Sequence, residues 1–147
     1  RADKDVCHRG CWALSNLAAS EAGQVKAIGC GGVEAVVDCL QLHRADKEVC
    51  HHGCKAMISL AVREAGQVKA VGSGAPAAIM DCLQLHSQDS DVTLHAIGAL
   101  ANIAALVSGR SQLKQAGALR AAEQALQRFT DNRDVCSHAE RLRSNLG

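Results

Sequence analysis

Two short clusters of cysteine and histidine are the residues of this chain best suited to binding a metal ion. The first cluster and its copy 43 residues later comprise Cys7, His8, Cys11, Cys50, His51 and Cys54. Zinc needs about four ligands that converge tetrahedrally at about 2.0–2.3 Å. The adjacent side chains of Cys7 and His8 would point about 100° apart on a helix, so they do not converge easily on one ion. We therefore expect these residues to pack between helices, with no metal and no cofactor.

A second pattern places a basic or imidazole side chain four residues after an acid. The acids are Asp5, Glu48, Asp91 and Asp134, and the residues that follow them by four are Arg9, His52, His95 and His138. Such a pair contributes only about 0.2–0.5 kcal/mol on an exposed helix, which is compatible with a simple solvated face. The alternative is a binding surface whose positive charge rises below about pH 6.5, where histidine protonates, and which favours acidic partners.

The sequence contains no recognisable catalytic constellation. It has neither a phosphate-binding loop, nor a dinucleotide-binding fingerprint, nor a nucleophile elbow. The glycines at 29, 31 and 32 recur in part at 72, 74 and 117, which is typical of turns between helices. We expect that the protein is not an enzyme.

Composition restricts the class of partner and the compartment. Sixteen Lys and Arg balance fifteen Asp and Glu, whereas a nucleic-acid-binding protein needs a clustered basic excess. The sequence shows no apolar run of the ~18 residues that a membrane span requires. The eight cysteines include pairs spaced four apart, as on one helix face, rather than a framework of loop disulfides. We expect free thiols and an intracellular protein of the cytoplasm or nucleus, with neither nucleic acid nor a membrane as its partner.

An internal repeat of 43 residues positions these side chains. Residues 2–44 and 45–87 are identical at 27 of 43 positions, and the period falls in the range of roughly 40–47 residues seen in helical solenoids. We expect one domain over residues 1–147, with units at 2–44, 45–87 and 88–130 and a partial unit at 131–147. Because the chain begins with Arg1 rather than Met, we also expect it to be part of a longer array.

Each unit is predicted to contain a long, a short and a middle-length helix. The N-terminus of each long helix is marked by a residue that can act as a cap, namely Asp3, Asp46, Asp89 and Asn132. The apolar or small residues of the first long helix fall within one arc from Val6 to Leu17, and this helix should end near Ala19. The short helix is predicted over 24–28, and the last helix of the unit from Val33 to near His43.

Two motifs resemble the armadillo repeat, of which importin-α and β-catenin are examples. The segment from Cys11 to Ala18 is similar to the third helix of that repeat. The Gly-Ala-Leu turn before the second helix of that family is similar to Gly31-Gly32-Val33, Gly74-Ala75-Pro76 and Gly117-Ala118-Leu119. The resemblance implies an all-α, right-handed α-solenoid of about three repeats that starts and ends on a third helix. It also implies that the third helices line a concave groove.

The candidate peptide-binding residues follow from the exposed stripe of the third helices. In four successive rungs they are Arg9, Trp12 and Asn16; His52, Lys55 and Ser59; His95, Gly98 and Asn102; and His138, Arg141 and Asn145. Trp12 and Asn16 match the tryptophan–asparagine pair with which importin-α-like repeats hold an extended peptide. The cations Lys55 and Arg141 replace tryptophan in later rungs, which argues against the basic cargo of nuclear import.

These observations favour a scaffold that binds an extended, acidic peptide segment of a protein partner along the groove. An amide such as that of Asn16 both donates and accepts, so it suits a partner's backbone. One alternative is that the chain's own flanking segments fill the groove. Another is a structural spacer or oligomerisation segment that associates with itself through uncapped solenoid ends.

Overall fold

A computed structural model describes residues 3–147, and within this range every regular element is an α-helix. The helices are α1 (Lys4–Leu17), α2 (Glu21–Gly29), α3 (Gly32–Leu42), α4 (Lys47–Leu60), α5 (Glu64–Gly72), α6 (Ala75–Leu85), α7 (Ser90–Ile103), α8 (Val107–Gln115), α9 (Ala118–Arg128) and α10 (Arg133–Leu146). The prediction of an all-α protein is therefore confirmed.

The helices repeat with the period of the sequence. Lengths of 14, 9 and 11 residues recur in this order, and each helix begins 43 residues after its counterpart. The predicted order of long, short and middle-length helices is the observed one. The short helix α2 is longer than predicted because Ser20 caps its N-terminus, where its Oγ accepts a hydrogen bond from the Gly23 N–H at 3.0 Å. The long helix α1 ends at Leu17, two residues before the predicted end.

Side-chain caps fix the start of every long helix. A side-chain oxygen of each cap accepts a hydrogen bond from the backbone N–H of a valine three residues later, at 2.9–3.1 Å. The caps are the predicted ones: Asp3, Asp46, Asp89 and Asn132. Each such bond satisfies a donor that the helix leaves free, which is worth about 0.5–2 kcal/mol.

Glycine is required at the start of every middle helix. Gly31, Gly74 and Gly117 precede α3, α6 and α9 with φ of +84°, +85° and +83°. A side chain is disfavoured in this left-handed conformation, so glycine recurs there for a backbone reason. The Gly-Ala-Leu-like turns of the sequence are therefore demanded by the local geometry.

The four long helices lie side by side in one row. Helix α1 packs on α4, α4 on α7, and α7 on α10, while the middle helices α3, α6 and α9 support the long helix that follows each of them. The largest fully buried side chains include Leu40, Met57, Ile79, Ile97 and Leu100. One continuous apolar core therefore lies beneath the row.

The predicted apolar arc is buried only where a preceding copy covers it. Val49 and Leu60 of α4 are fully buried, whereas their counterparts in α1, Val6 and Leu17, are 61% and 49% exposed. The first copy thus presents an apolar end. The last copy does not, because Glu140 and Arg143 are exposed at the positions where α7 buries Ile97 and Leu100. The expectation of an uncapped solenoid therefore fits the first end and not the last.

Candidate functional site

Histidines of successive long helices meet on one side of the row, which we call the histidine face. It carries His8 of α1, His51 and His52 of α4, His95 of α7 and His138 of α10. The long helices meet here in a constant register, in which a residue faces the one 44 positions later. The ring centroids of His8 and His52 are 4.5 Å apart, and those of His51 and His95 are 4.8 Å apart. The two pairs are linked within α4, since His51 stacks on His52 at 4.6 Å.

Burial lowers the pKa of three histidines on this face. The pKa of His95 is lowered to about 4. Burial is the largest cause, and the neighbouring His51 and Lys55 act in the same direction, whereas Asp91 raises the pKa. Burial first, and then the neighbouring imidazoles, lower the pKa of His52 as well. Burial and Arg141 lower the pKa of His138. The expectation of a surface that becomes charged below about pH 6.5 is therefore wrong for these three side chains, because desolvation disfavours the imidazolium.

The candidate asparagines differ in whether their amides are free. Asn102 donates from Nδ2 to the carbonyl of Ile58 at 2.9 Å and accepts from Arg141 at 2.8 Å, so both ends of its amide are engaged. Among the described residues, the side-chain amides of Asn16 and Asn145 have no hydrogen-bond partner, and Asn16 is exposed while Asn145 is half-buried. Asn102 thus ties together adjacent long helices, and Asn16 is left as the amide most accessible to a partner.

The residue at the tryptophan position is exposed in the first rung and buried in the third. Trp12 is 52% exposed beside Arg9 and Asn16 on α1. Its counterpart Gly98 is buried, and a Cβ there would lie 2.9 Å from Ile58 Cδ1 and 3.3 Å from the His138 ring. The structure therefore offers an aromatic wall at the first rung and a closed helix contact at the third.

Three cations on these rungs have no carboxylate partner among the described residues. Arg9, Lys55 and Arg141 are exposed, and none of them forms an ion pair there. Arg141 binds Asn102 instead and approaches His138 Nδ1 at 3.3 Å. Ser59, in the second rung, is half-buried and makes no hydrogen bond with a described side chain.

One cluster that the sequence did not predict joins α1 and α4. His8, Glu48 and His52 each offer one ligand atom, and these atoms all lie within 4.8 Å of one another. Residue spacing within a single helix does not reveal this cluster, because His8 and His52 belong to different helices. A sequence signal for the cluster does exist. His51 is the counterpart of His8 in the next copy, and the adjacent His52, 44 positions after His8, is the residue that faces it.

The cysteines of the two cysteine–histidine clusters, Cys7, Cys11, Cys50 and Cys54, are buried in the core. Cys39 is within hydrogen-bond reach of Cys7 and Cys11, and the next copy repeats this trio as Cys50, Cys54 and Cys82. Burial raises the pKa of Cys11 to about 11, which keeps the thiol protonated and a poor metal ligand. All eight cysteines are free thiols in the structure, and five of them are buried.

A cavity of about 330 Å³ lies away from the candidate residues, between α6 and α9. Met80, Leu83 and Phe129 line it, together with Thr93, whose buried Oγ1 has no hydrogen-bond partner. Thr93 and Ala125 stand where the preceding copy has Cys50 and Cys82. The loss of the two sulfur atoms explains why the packing is looser here.

Across residues 3–147 no helix combines the length and apolar character that crossing a bilayer requires.

No protein-family model matches the chain, and no curated protein matches it. Solved structures do resemble it, and those described here are crystal structures of engineered proteins from the Northeast Structural Genomics Consortium. One is 27% identical with a TM-score of 0.84, and covers 99% of this chain and 59% of its own. A second is 26% identical with a TM-score of 0.83, over 99% and 57% of the two chains. A third is 26% identical with a TM-score of 0.77, over 91% and 32%.

These likenesses overturn the assignment to the natural armadillo family. The chain spans less than two thirds of the length of each engineered protein, and it resembles these designed helical proteins while matching no family model. The physical reason for the wrong assignment lies in the motifs themselves. Left-handed glycines, capping acids and a 43-residue period are requirements of this three-helix geometry, so they recur in any sequence that adopts it.

Proposed function

We propose that this protein is a non-enzymatic binding scaffold that holds an extended acidic peptide segment of a partner along the histidine face. In this proposal the copies form a right-handed solenoid whose concave side is the histidine face. Neighbouring helices pack about 8–10 Å apart and an extended chain advances about 3.3 Å per residue. Four long helices would therefore accommodate about nine residues of peptide.

The exposed pair of Trp12 and Asn16 is the observation that carries the proposal. A large aromatic side chain that is half exposed on a small-residue helix face can become fully desolvated when a partner covers it, which is how aromatic anchors contribute to binding. The free amide of Asn16 can satisfy both an N–H and a C=O of the partner's backbone.

The preference for acidic peptides rests on Arg9, Lys55 and Arg141. Because these cations have no carboxylate partner within residues 3–147, a peptide carboxylate does not have to displace one there. Complementary charge of this kind favours the correct partner and speeds its association. Because burial lowers the pKa of His52, His95 and His138, these side chains should add less to this preference as the pH falls towards 6 than exposed histidines would.

The test compares binding of labelled nine-residue peptides, acidic and basic, to the wild type and to Trp12→Ala/Asn16→Ala. The double variant should bind an acidic ligand at least ~2 kcal/mol more weakly, about thirtyfold. Val107→Ala is the matched control, because Val107 is 73% exposed on α8, outside the histidine face. Equal binding by a folded double variant would place the interface elsewhere.

A second candidate function is self-association as a structural spacer. It is favoured by the apolar end of the first copy, where Val6 and Leu17 are exposed although their counterparts in α4 are fully buried. The polar last end, with Glu140 and Arg143, does not complement that surface. Two chains would therefore associate through their first ends.

We also propose that the protein functions in a reducing, intracellular compartment. This proposal is supported by the cysteines, five of which are buried as free thiols in the core, with no disulfide between any of the eight. Thiols persist in this form where the surroundings keep them reduced.

A further inference from the structure

We propose that His8, Glu48 and His52 form a binding site for one Zn²⁺ ion, which would clamp α1 to α4. The site lies on the histidine face, but its test requires no peptide. It is assembled from two copies of the repeat, since His8 comes from the first long helix and the other two residues come from the second.

The geometry brings the ligand atoms close to the separations that zinc requires. Glu48 Oε2 and His52 Nε2 are 3.7 Å apart, and all three ligand atoms lie within 4.8 Å of one another. Ligands at about 2.0–2.2 Å in a tetrahedron are about 3.3 Å apart. The Glu48 side chain is 54% exposed, so its carboxylate can shift towards an ion without disturbing the core.

The helices beneath the site hold the histidines in place. Glu48 and His52 are one turn apart on α4, and Cys7, next to His8, is buried under α1. Both ring positions are therefore set by packed helices rather than by a loop, which reduces the ordering that a metal ion must impose.

His52 is also without a structural hydrogen bond that would compete with a metal. Its Nδ1 is buried and has no partner among the described residues, and its Nε2 is beyond ordinary hydrogen-bond distance from Glu48. Nε2 therefore makes no hydrogen bond that an ion would have to displace.

The donor set selects the metal. Two imidazoles and one carboxylate suit zinc, with water completing the fourth position, whereas Mg²⁺ and Ca²⁺ prefer oxygen ligands alone. Glu48 supplies the single negative charge of the set, so zinc binding should depend on it as well as on the histidines.

Zinc binding to the full chain is measured by competition with a chromophoric chelator, in a buffer with a phosphine reductant that leaves the thiols free. We expect one Zn²⁺ per chain in the wild type and about 10- to 100-fold weaker binding in His8→Ala and His52→Gln. His86→Ala is the matched control, because His86 lies at the end of α6 and contacts Arg44 instead. It should bind zinc as the wild type does.

Two further measurements separate this site from the alternatives. Zinc should raise the unfolding temperature of the wild type and not that of His52→Gln, with circular dichroism showing that each variant is helical before metal is added. Co²⁺ bound in place of zinc should lack a thiolate charge-transfer band, since no cysteine belongs to the site. Undiminished binding in both histidine variants, a thiolate band, or no zinc bound to the wild type would each overturn the proposal.

Discussion

At the scale of single residues, identical side chains behave differently because their neighbours differ. Asn16 and Asn102 occupy the same position of the repeat, yet only Asn102 has both ends of its amide engaged, by Ile58 and Arg141. Histidine shows the same dependence, since burial, together with the neighbouring His51 and Lys55, lowers the pKa of His95 to about 4. The residue type thus determines which hydrogen bonds and charge states a side chain can have, and its neighbours determine which of them it adopts.

His95 provides the prediction at this scale. Its pKa in the folded protein, about 4, lies below the ~6.5 of an unfolded chain, so the unfolded state binds more protons between these values. The free energy of unfolding should therefore fall as the pH is lowered from about 6.5 towards 4. A histidine NMR titration in metal-free buffer measures the pKa directly, and His95→Gln should weaken the pH dependence of stability. Titration of His95 near pH 6.5 would contradict the burial that the structure assigns to it.

At the scale of helices, the short helices are held against the long ones through glycine. Gly66 of α5 approaches the end of α4 so closely that a Cβ would overlap the carbonyl oxygen of Leu60. Gly23 and Gly109 make the corresponding approach in the other copies, to Leu17 and Ile103. The sharp turn between the long and the short helix depends on this contact. The obstacle is backbone, so it cannot rotate away as the end of a side chain would.

Gly66→Ala is the prediction for this element. The added methyl group should cost about 1–3 kcal/mol of unfolding free energy, measured by urea denaturation, because the two helices must separate to admit it. Gly72→Ala is the control within the same helix, since no atom lies within 4 Å of a Cβ there. It should change stability by less than about 0.5 kcal/mol. Equal effects of the two substitutions would mean that α5 does not pack on α4 in this way.

At the scale of the whole molecule, the two ends of the array are chemically unlike. The first end exposes Val6 and Leu17, which belong to an arc that every later copy buries. At the last end, the exposed Glu140 and Arg143 stand where α7 has the buried Ile97 and Leu100. A polar outer face of this kind is what a terminal repeat needs for solubility. Under the proposed self-association, two chains would therefore meet only through their first ends, which would limit the assembly to pairs.

The prediction for the whole molecule concerns its mass in solution. Sedimentation should show a mass that rises with concentration from one chain towards two, and no further. Val6→Lys/Leu17→Lys should abolish this rise, because it places charges within the apolar patch. Val107→Lys, on another exposed valine, should leave it unchanged. A constant mass across the range would remove the support for a spacer that self-associates.

The sequence by itself determined the period, the helices and the caps. Identity at 27 of 43 positions and the column of Asp3, Asp46, Asp89 and Asn132 predict the repeat and its helix starts, because capping and left-handed turns depend on residues adjacent in the chain. Only the tertiary structure decided what meets across neighbouring copies. The register of 44 places His52 next to His8, and Asn102 next to Ile58, although no local pattern couples them. Such contacts depend on how one helix lies against the next, and so do the burial and the pKa of the side chains between them.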